Sequence, residues 1–140
     1  MGKIQSYQDL EVWKQTRLLV KEIYQLTATF PKEEQFGLTN QLRRAAVSVP
    51  SNIAEGCGRN HSKDSLQFFF IARGSLYEIE TQVTIAHDLS LLDEFQKDSL
   101  LEKIQSCKRI LNGFINYFQN ISDQQRTTIN EQLEDYGNSN

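Results

Sequence analysis

A proline sits in the middle of a helical repeat. Between Gln41 and Arg59 the apolar residues Leu42, Ala45, Ala46, Val49 and Ile53 recur at spacings of three and four, one face of an α-helix. Pro50 falls inside that face. Proline lacks the backbone donor that the Ala46 carbonyl would receive, and its ring crowds that carbonyl; an isolated helix loses roughly 3 kcal/mol. A restart at Pro50 would make Val49 the N-cap, and valine has no side-chain acceptor. The pattern therefore predicts one kinked helix over about Thr39 to Gly56, held by packing on both sides of the kink.

The small residues of this stretch, Ala45, Ala46, Ser48, Ser51, Ala54 and Gly56, let a second helix come close. Ser48 and Ser51 can also satisfy backbone groups that the proline loosens. Arg44, Asn52 and Glu55, with Glu78 further along, read as a polar network beside the core. Arg44 or Arg43 is expected to meet the carboxylate of Glu55 or Glu78, because a buried charge needs a partner.

The run QLRRAAVSVPSNIAEG, residues 41 to 56, resembles the signature of the four-helix-bundle proteins encoded in intervening sequences of bacterial 23S rRNA genes. That family is in turn similar to the accessory variability determinant (Avd) proteins of diversity-generating retroelements. Asp9 to Trp13, Phe30 to Glu34, Phe36 to Leu38 and Ile71 to Gln82 carry the resemblance over residues 7 to 120. It implies a homopentamer. It also implies the company of RNA and a reverse-transcriptase-like protein, as for the basic Avd pentamers. This chain departs from them in its charge, which is -3 overall. Residues 121 to 140 hold Arg126 against Asp123, Glu131, Glu134 and Asp135, so residues 1 to 120 balance at 14 basic and 14 acidic side chains. A balanced body does not carry the net basic footprint usual in nucleic-acid binders.

With 140 residues, two prolines and seven glycines, the chain suits one all-α domain of long helices. The expected architecture is an antiparallel up-down-up-down four-helix bundle over residues 7 to 120. The first helix starts behind a Ser6/Asp9 capping box and runs to about Thr29, where Phe30-Pro31 stops it. The third is capped by Ser62 and runs to about Leu89. The fourth follows an Asp93/Gln96 capping box and ends near residue 120. Residues 121 to 140 read as a polar tail, either disordered or a further short helix with Ile129, Leu133 and Tyr136 on one side. The consecutive Phe68, Phe69, Phe70 and Ile71 make the third helix apolar nearly all round, which points to an oligomer interface.

Cys57 and Cys107 form no CxxC and suit free thiols in a reducing cytoplasm. The N-terminus has no signal-type apolar core, and no run reaches the ~20 apolar residues of a membrane span. His61 and His87 lack the Glu-x-x-His spacing of a di-iron bundle, and no zinc, nucleophile-elbow or dinucleotide motif occurs. The expectation is a non-enzymatic protein without metal or cofactor. Gly56-Cys57-Gly58-Arg59 is better read as a helix end and link than as a phosphate cradle. Two functions remain. In the first, Arg43, Arg59, Lys63 and Arg73, with Lys14, Arg17 and Lys21 as outer contributors, meet RNA or a ribonucleoprotein partner. Residues 35 to 75 carry five cations against Glu55 and Asp64, which favours phosphate. In the second, the protein is a scaffold ring for a protein partner alone.

Overall fold

A computed structural model describes residues 6–138, and among these all regular structure is helical. Four helices, α1 (Glu11–Thr27), α2 (Leu38–Cys57), α3 (Ser62–Asp88) and α4 (Glu94–Asn138), surround one apolar core. Val12, Leu19 and Ile23 of α1 meet Leu42, Val49 and Ile53 of α2. Phe69, Leu76, Ile79 and Val83 of α3 and Ile104, Leu111 and Ile115 of α4 complete it.

The Ser6/Asp9 capping box forms, but it caps a single 3-10 turn, Tyr7–Asp9. Leu10 is extended (φ -75°, ψ 132°), so α1 begins at Glu11. Leu10 packs on the core and the Tyr7 ring lies edge-on to Trp13 at 5.3 Å, contacts that hold the 3-10 turn against the helix start. α1 stops at Thr27, two residues early, and the buried Thr27 hydroxyl donates to the Ile23 carbonyl at 2.6 Å. Thr16, fully buried and absent from any apolar stripe, does the same to Val12 at 2.8 Å. A threonine hydroxyl satisfied within its own helix can sit in a core.

α2 runs unbroken through Pro50, which is itself buried between Val49 and Ile53. Across it, Asn52 Nδ2 donates to the Ser48 carbonyl (2.8 Å) and to Ser48 Oγ (3.0 Å), so the helix gains side-chain bonds beside the residue that costs it one. At its end Gly56 has a packing role. A Cβ there would lie 2.5 Å from the Phe69 ring and 3.0 Å from the Ser65 carbonyl oxygen. Gly58, the C-cap, has φ -83° and needs no left-handed freedom.

Ser62 does not cap α3. His61 is the N-cap and makes no side-chain cap bond, while Ser65 Oγ donates to the His61 carbonyl at 3.3 Å. The phenylalanine run is housed within the single chain. Phe69 is fully buried in an aromatic cluster with Phe114 and Phe118, at 4.9 and 5.0 Å. Phe68 and Phe70 lie under the guanidinium groups of Arg59 and Arg73. Of the four residues Ile71 is the exposed one, so this run is weaker evidence for an interface than its composition suggests.

The Asp93/Gln96 capping box does start α4, through Gln96 N–H to Asp93 Oδ1 at 2.7 Å and the reciprocal bond at 3.0 Å. α4 then continues for 45 residues, far past residue 120. The polar tail is therefore helical through Asn138 and exposed from Thr127 onward. The apolar positions Ile129, Leu133 and Tyr136 prolong the helical spacing, and no proline or capping signal stops it.

Candidate anion-binding surface

Lys14, Arg17 and Lys21 are exposed on α1 at spacings of three and four. With Tyr24 they fall within about 80° of the helix circumference and span about 15 Å. The Arg17 guanidinium lies 5.0 Å from the Trp13 ring centre. At the far end Arg43 of α2 extends the row. Its guanidinium stacks 4.5 Å from the Tyr24 ring centre, Nε donates to Thr27 Oγ1 at 2.9 Å and Nη2 donates to the Tyr24 carbonyl at 3.3 Å. These are neutral acceptors, so Arg43 keeps its charge uncompensated while its position is fixed. The acids of α1 point to the adjoining sector. Glu11 accepts from Gln15 Nε2 at 2.7 Å, and Glu22 pairs with Lys103 of α4.

The other cations lie elsewhere. Arg59 binds Glu55 one turn back at 2.8 Å, an exposed pair. Lys63 is exposed in the first turn of α3. Arg73 is half-buried and donates to Asn112 Oδ1 of α4 at 3.3 Å. The seven candidate cations thus divide into a row on α1 capped by Arg43, an exposed group at the α2–α3 link, and a bridge to α4.

The expected polar network takes a different form. Glu55 meets Arg59 rather than Arg43 or Arg44. Asn52 joins Ser48, and Ser75 of α3 donates to Ser48 Oγ at 2.9 Å, a neutral chain across the α2–α3 seam. Arg44 and Glu78 are exposed and line one open groove of about 350 Å³, with Gln41 and Gln82 beside them. Arg44 also borders a wider depression of about 790 Å³ with Tyr24, Arg43 and the exposed Phe36. Small hydroxyl residues fill the close approach, and the long charged side chains are left at its rim.

Little here suits catalysis. Among the described residues no group of three or more His, Cys, Asp or Glu side chains could hold a metal. Burial, followed by the charge of Glu22, pushes the Cys107 thiol up to about 11, and burial also raises that of Cys57. Thiols held protonated are poor nucleophiles. No described helix is long and apolar enough to cross a membrane.

Among the described residues the site thus amounts to a four-helix all-α fold with an exposed row of cations and no group of side chains suited to hold a metal. The chain belongs to the 23S rRNA-intervening sequence protein family, whose model matches residues 8–113. A crystal structure of a protein of unknown function, from the S23 ribosomal protein family of Bacteroides thetaiotaomicron, shares the fold. It has a TM-score of 0.67 and 18% identity, and the match covers 74% of this chain and 97% of that one. No curated protein matches.

Proposed function

We propose that this protein is a non-enzymatic accessory module that binds RNA or a ribonucleoprotein partner along α1. The supporting observation is the row Lys14, Arg17, Lys21 and Arg43, whose acidic neighbours Glu11 and Glu22 are engaged off the row. Successive cations about 5 to 6 Å apart match the spacing of phosphates along a single strand, and Tyr24, 42% exposed, adds an aromatic ring for base stacking. Arg59 and Lys63 are secondary contributors. In this reading the helices run antiparallel, up-down-up-down, with α2 kinked at Pro50. Contacts between residues 48 and 75, 69 and 118, and 80 and 108 support the antiparallel order. The protein works in the cytoplasm as a homo-oligomer. A cyclic pentamer, the assembly implied by the Avd resemblance, would present five such rows to one strand and raise avidity without new contacts.

RNA binding measured at low and high salt tests this. The parent should bind at low salt and weaken steeply, by about 0.7 in log K per log salt for each phosphate neutralised. Lys14→Glu/Lys21→Glu should lower the affinity by about tenfold or more and flatten that slope, whereas Arg59→Glu/Lys63→Glu should do less. No affinity at low salt, or affinity indifferent to the α1 reversals, would leave the scaffold ring for a protein partner as the function.

A further inference from the structure

The groove of about 350 Å³ between α2 and α3 holds polar groups that the bundle itself leaves unused. Ser48 and Ser75 line it and bond each other, and Ala45 beside them adds little side chain, which leaves the space open. Glu78 and Gln82 stand one turn apart on α3, about 6 Å, and Arg44 lines the groove from α2. Arg44 and Glu78 are exposed, and neither has a hydrogen bond or an ion pair to another described residue. Gln82 adds the decisive observation. Its Oε1 is the one buried side-chain nitrogen or oxygen among the described residues with no hydrogen-bond partner. A buried acceptor without a donor is costly, and native folds rarely keep one without a reason. The end of a glutamine turns about a soft torsion, so the same oxygen can face the groove when a donor arrives there.

The groove thus offers three acceptor atoms from α3, two on the Glu78 carboxylate and one on Gln82, and a guanidinium donor from α2. Its complement is a flat group with adjacent N–H donors on one edge and acceptors on the next. Guanine has that pattern. Its N1–H and one N2–H match the two oxygens of a carboxylate, its other N2–H suits Gln82 Oε1, and its O6 and N7 accept from an arginine. Adenine and cytosine each place a ring acceptor beside their amino group, which would face the Glu78 charge. Uracil sets its single N–H between two carbonyls. The groove also adjoins the cation row. Arg44 and Ser48 line the wider depression that contains Tyr24, Arg43 and Phe36, so a strand laid along Lys14, Arg17, Lys21 and Arg43 meets the groove past Arg44.

We propose that the α2–α3 groove holds one unpaired guanine base, recognised by Glu78 with Gln82 and Arg44. The base comes from a free guanine nucleotide or from a single strand, and the second source rests on the RNA reading of α1. Guanine in a duplex hides the edge that Glu78 needs, so the site selects unpaired RNA. The row on α1 supplies affinity without regard to sequence, and the groove supplies the base preference. A site whose polar groups are completed by one base rejects another strongly, because the wrong base leaves those groups unpaired.

The test is calorimetric titration of the full chain with GMP, IMP and AMP, and with a uridine strand that carries or lacks one guanosine. GMP should bind about tenfold or more tighter than AMP, and IMP, which lacks the N2 amino group, should fall between them. The guanosine strand should bind tighter than the plain one. Glu78→Gln should remove both preferences with the thermal midpoint unmoved, because Glu78 is exposed and unpaired. Gln82→Met should weaken GMP severalfold and leave IMP nearly unchanged. A preference among the strands upholds the site with RNA as its source, and a preference for GMP alone upholds it with a free nucleotide. Lys14→Glu/Lys21→Glu should weaken both strands alike and keep their ratio. Loss of the α1 dependence with the GMP preference intact removes the RNA reading and leaves the groove. Equal affinity for GMP and AMP together with equal affinity for the two strands overturns the proposal, as does a preference that Glu78→Gln leaves in place. Binding of argininamide without any guanine preference also overturns it, and assigns these acceptors to a cation of a protein partner.

Discussion

The α2–α3 seam and the α1–α4 seam join helices of the same bundle in opposite ways. Between α2 and α3, Gly56 lets the Phe69 ring touch the backbone, and Ser48 and Ser75 meet hydroxyl to hydroxyl. Between α1 and α4 lies an open groove of about 560 Å³, floored by Leu19 and Cys107 and rimmed by Lys21, Glu22, Glu102 and Lys103. The tight seam uses residues with almost no side chain and holds its energy in dispersion and burial. The open seam uses long charged residues whose ends stay wet. The same core is therefore intolerant of volume on one side and permissive on the other.

The strongest way to break this contrast is at Phe69. Phe69→Ala should cost about 4 kcal/mol, since a fully buried ring leaves a cavity between α2, α3 and α4. Gly56→Ala should cost about 2 kcal/mol from overpacking, even after the better helix propensity of alanine is counted. The two should not add. In a Phe69→Leu background the alanine at 56 should be tolerated far better, because the ring atom it strikes is gone. Urea unfolding of the four chains measures this cycle, and strict additivity would show that Gly56 does not serve the ring.

The tight seam was largely legible in the sequence. Ala45, Ala46, Val49 and Ile53 around Pro50 pointed to a single packed helix, because a restart at Pro50 would leave Val49, which cannot cap, as the N-cap. The Asp93/Gln96 box marked the start of α4 for the same local reason. Where contacts came from afar, local reading failed. Ser62 looked like a cap, but the N-cap is one residue earlier, at His61, and Ser62 is the first residue of the helix. The partner of Arg43 proved to be a tyrosine ring and a threonine on α1, and that of Glu55 an arginine one turn away. Arginine beside an aromatic residue on a neighbouring helix leaves no periodic mark. Lys14, Arg17 and Lys21 were visible as a row, but that Arg43 completes it depends on how α2 lies across α1.

A smaller effect probes the floor of the open seam. The folded Cys107 thiol keeps its proton up to about pH 11, whereas the ordinary thiol value of 9.0 applies when the chain unfolds. Between those values the unfolded state binds fewer protons, so stability is full below pH 9 and falls as pH rises toward 11, by about 2 kcal/mol. Cys107→Ala should show less of this fall when urea midpoints of both chains are compared across that window. In the native parent at pH 8, Cys107 should also react with iodoacetamide more slowly than Cys57. Equal slopes with pH would mean that water reaches the floor of the groove freely.

The smallest effect belongs to the rim. Glu22 and Lys103 are the ion pair across the α1–α4 seam, with side chains 32% and 48% exposed. Two long side chains held in water gain little from meeting, because the solvent screens them and their freedom is lost. Lys103→Met and Glu22→Gln should each shift stability by no more than about 0.5 kcal/mol, and salt should barely alter the parent. The same substitutions should add to Gly56→Ala without coupling, since no side chain is shared between the seams. Glu22→Gln has a second consequence. It removes the charge that contributes to the raised Cys107 value, so the thiol should titrate lower in this chain. A loss of 2 kcal/mol or more from either rim substitution, with the thiol unmoved, would mean that the α1–α4 seam is held by its charges, and the two seams would then differ in chemistry but not in rigidity.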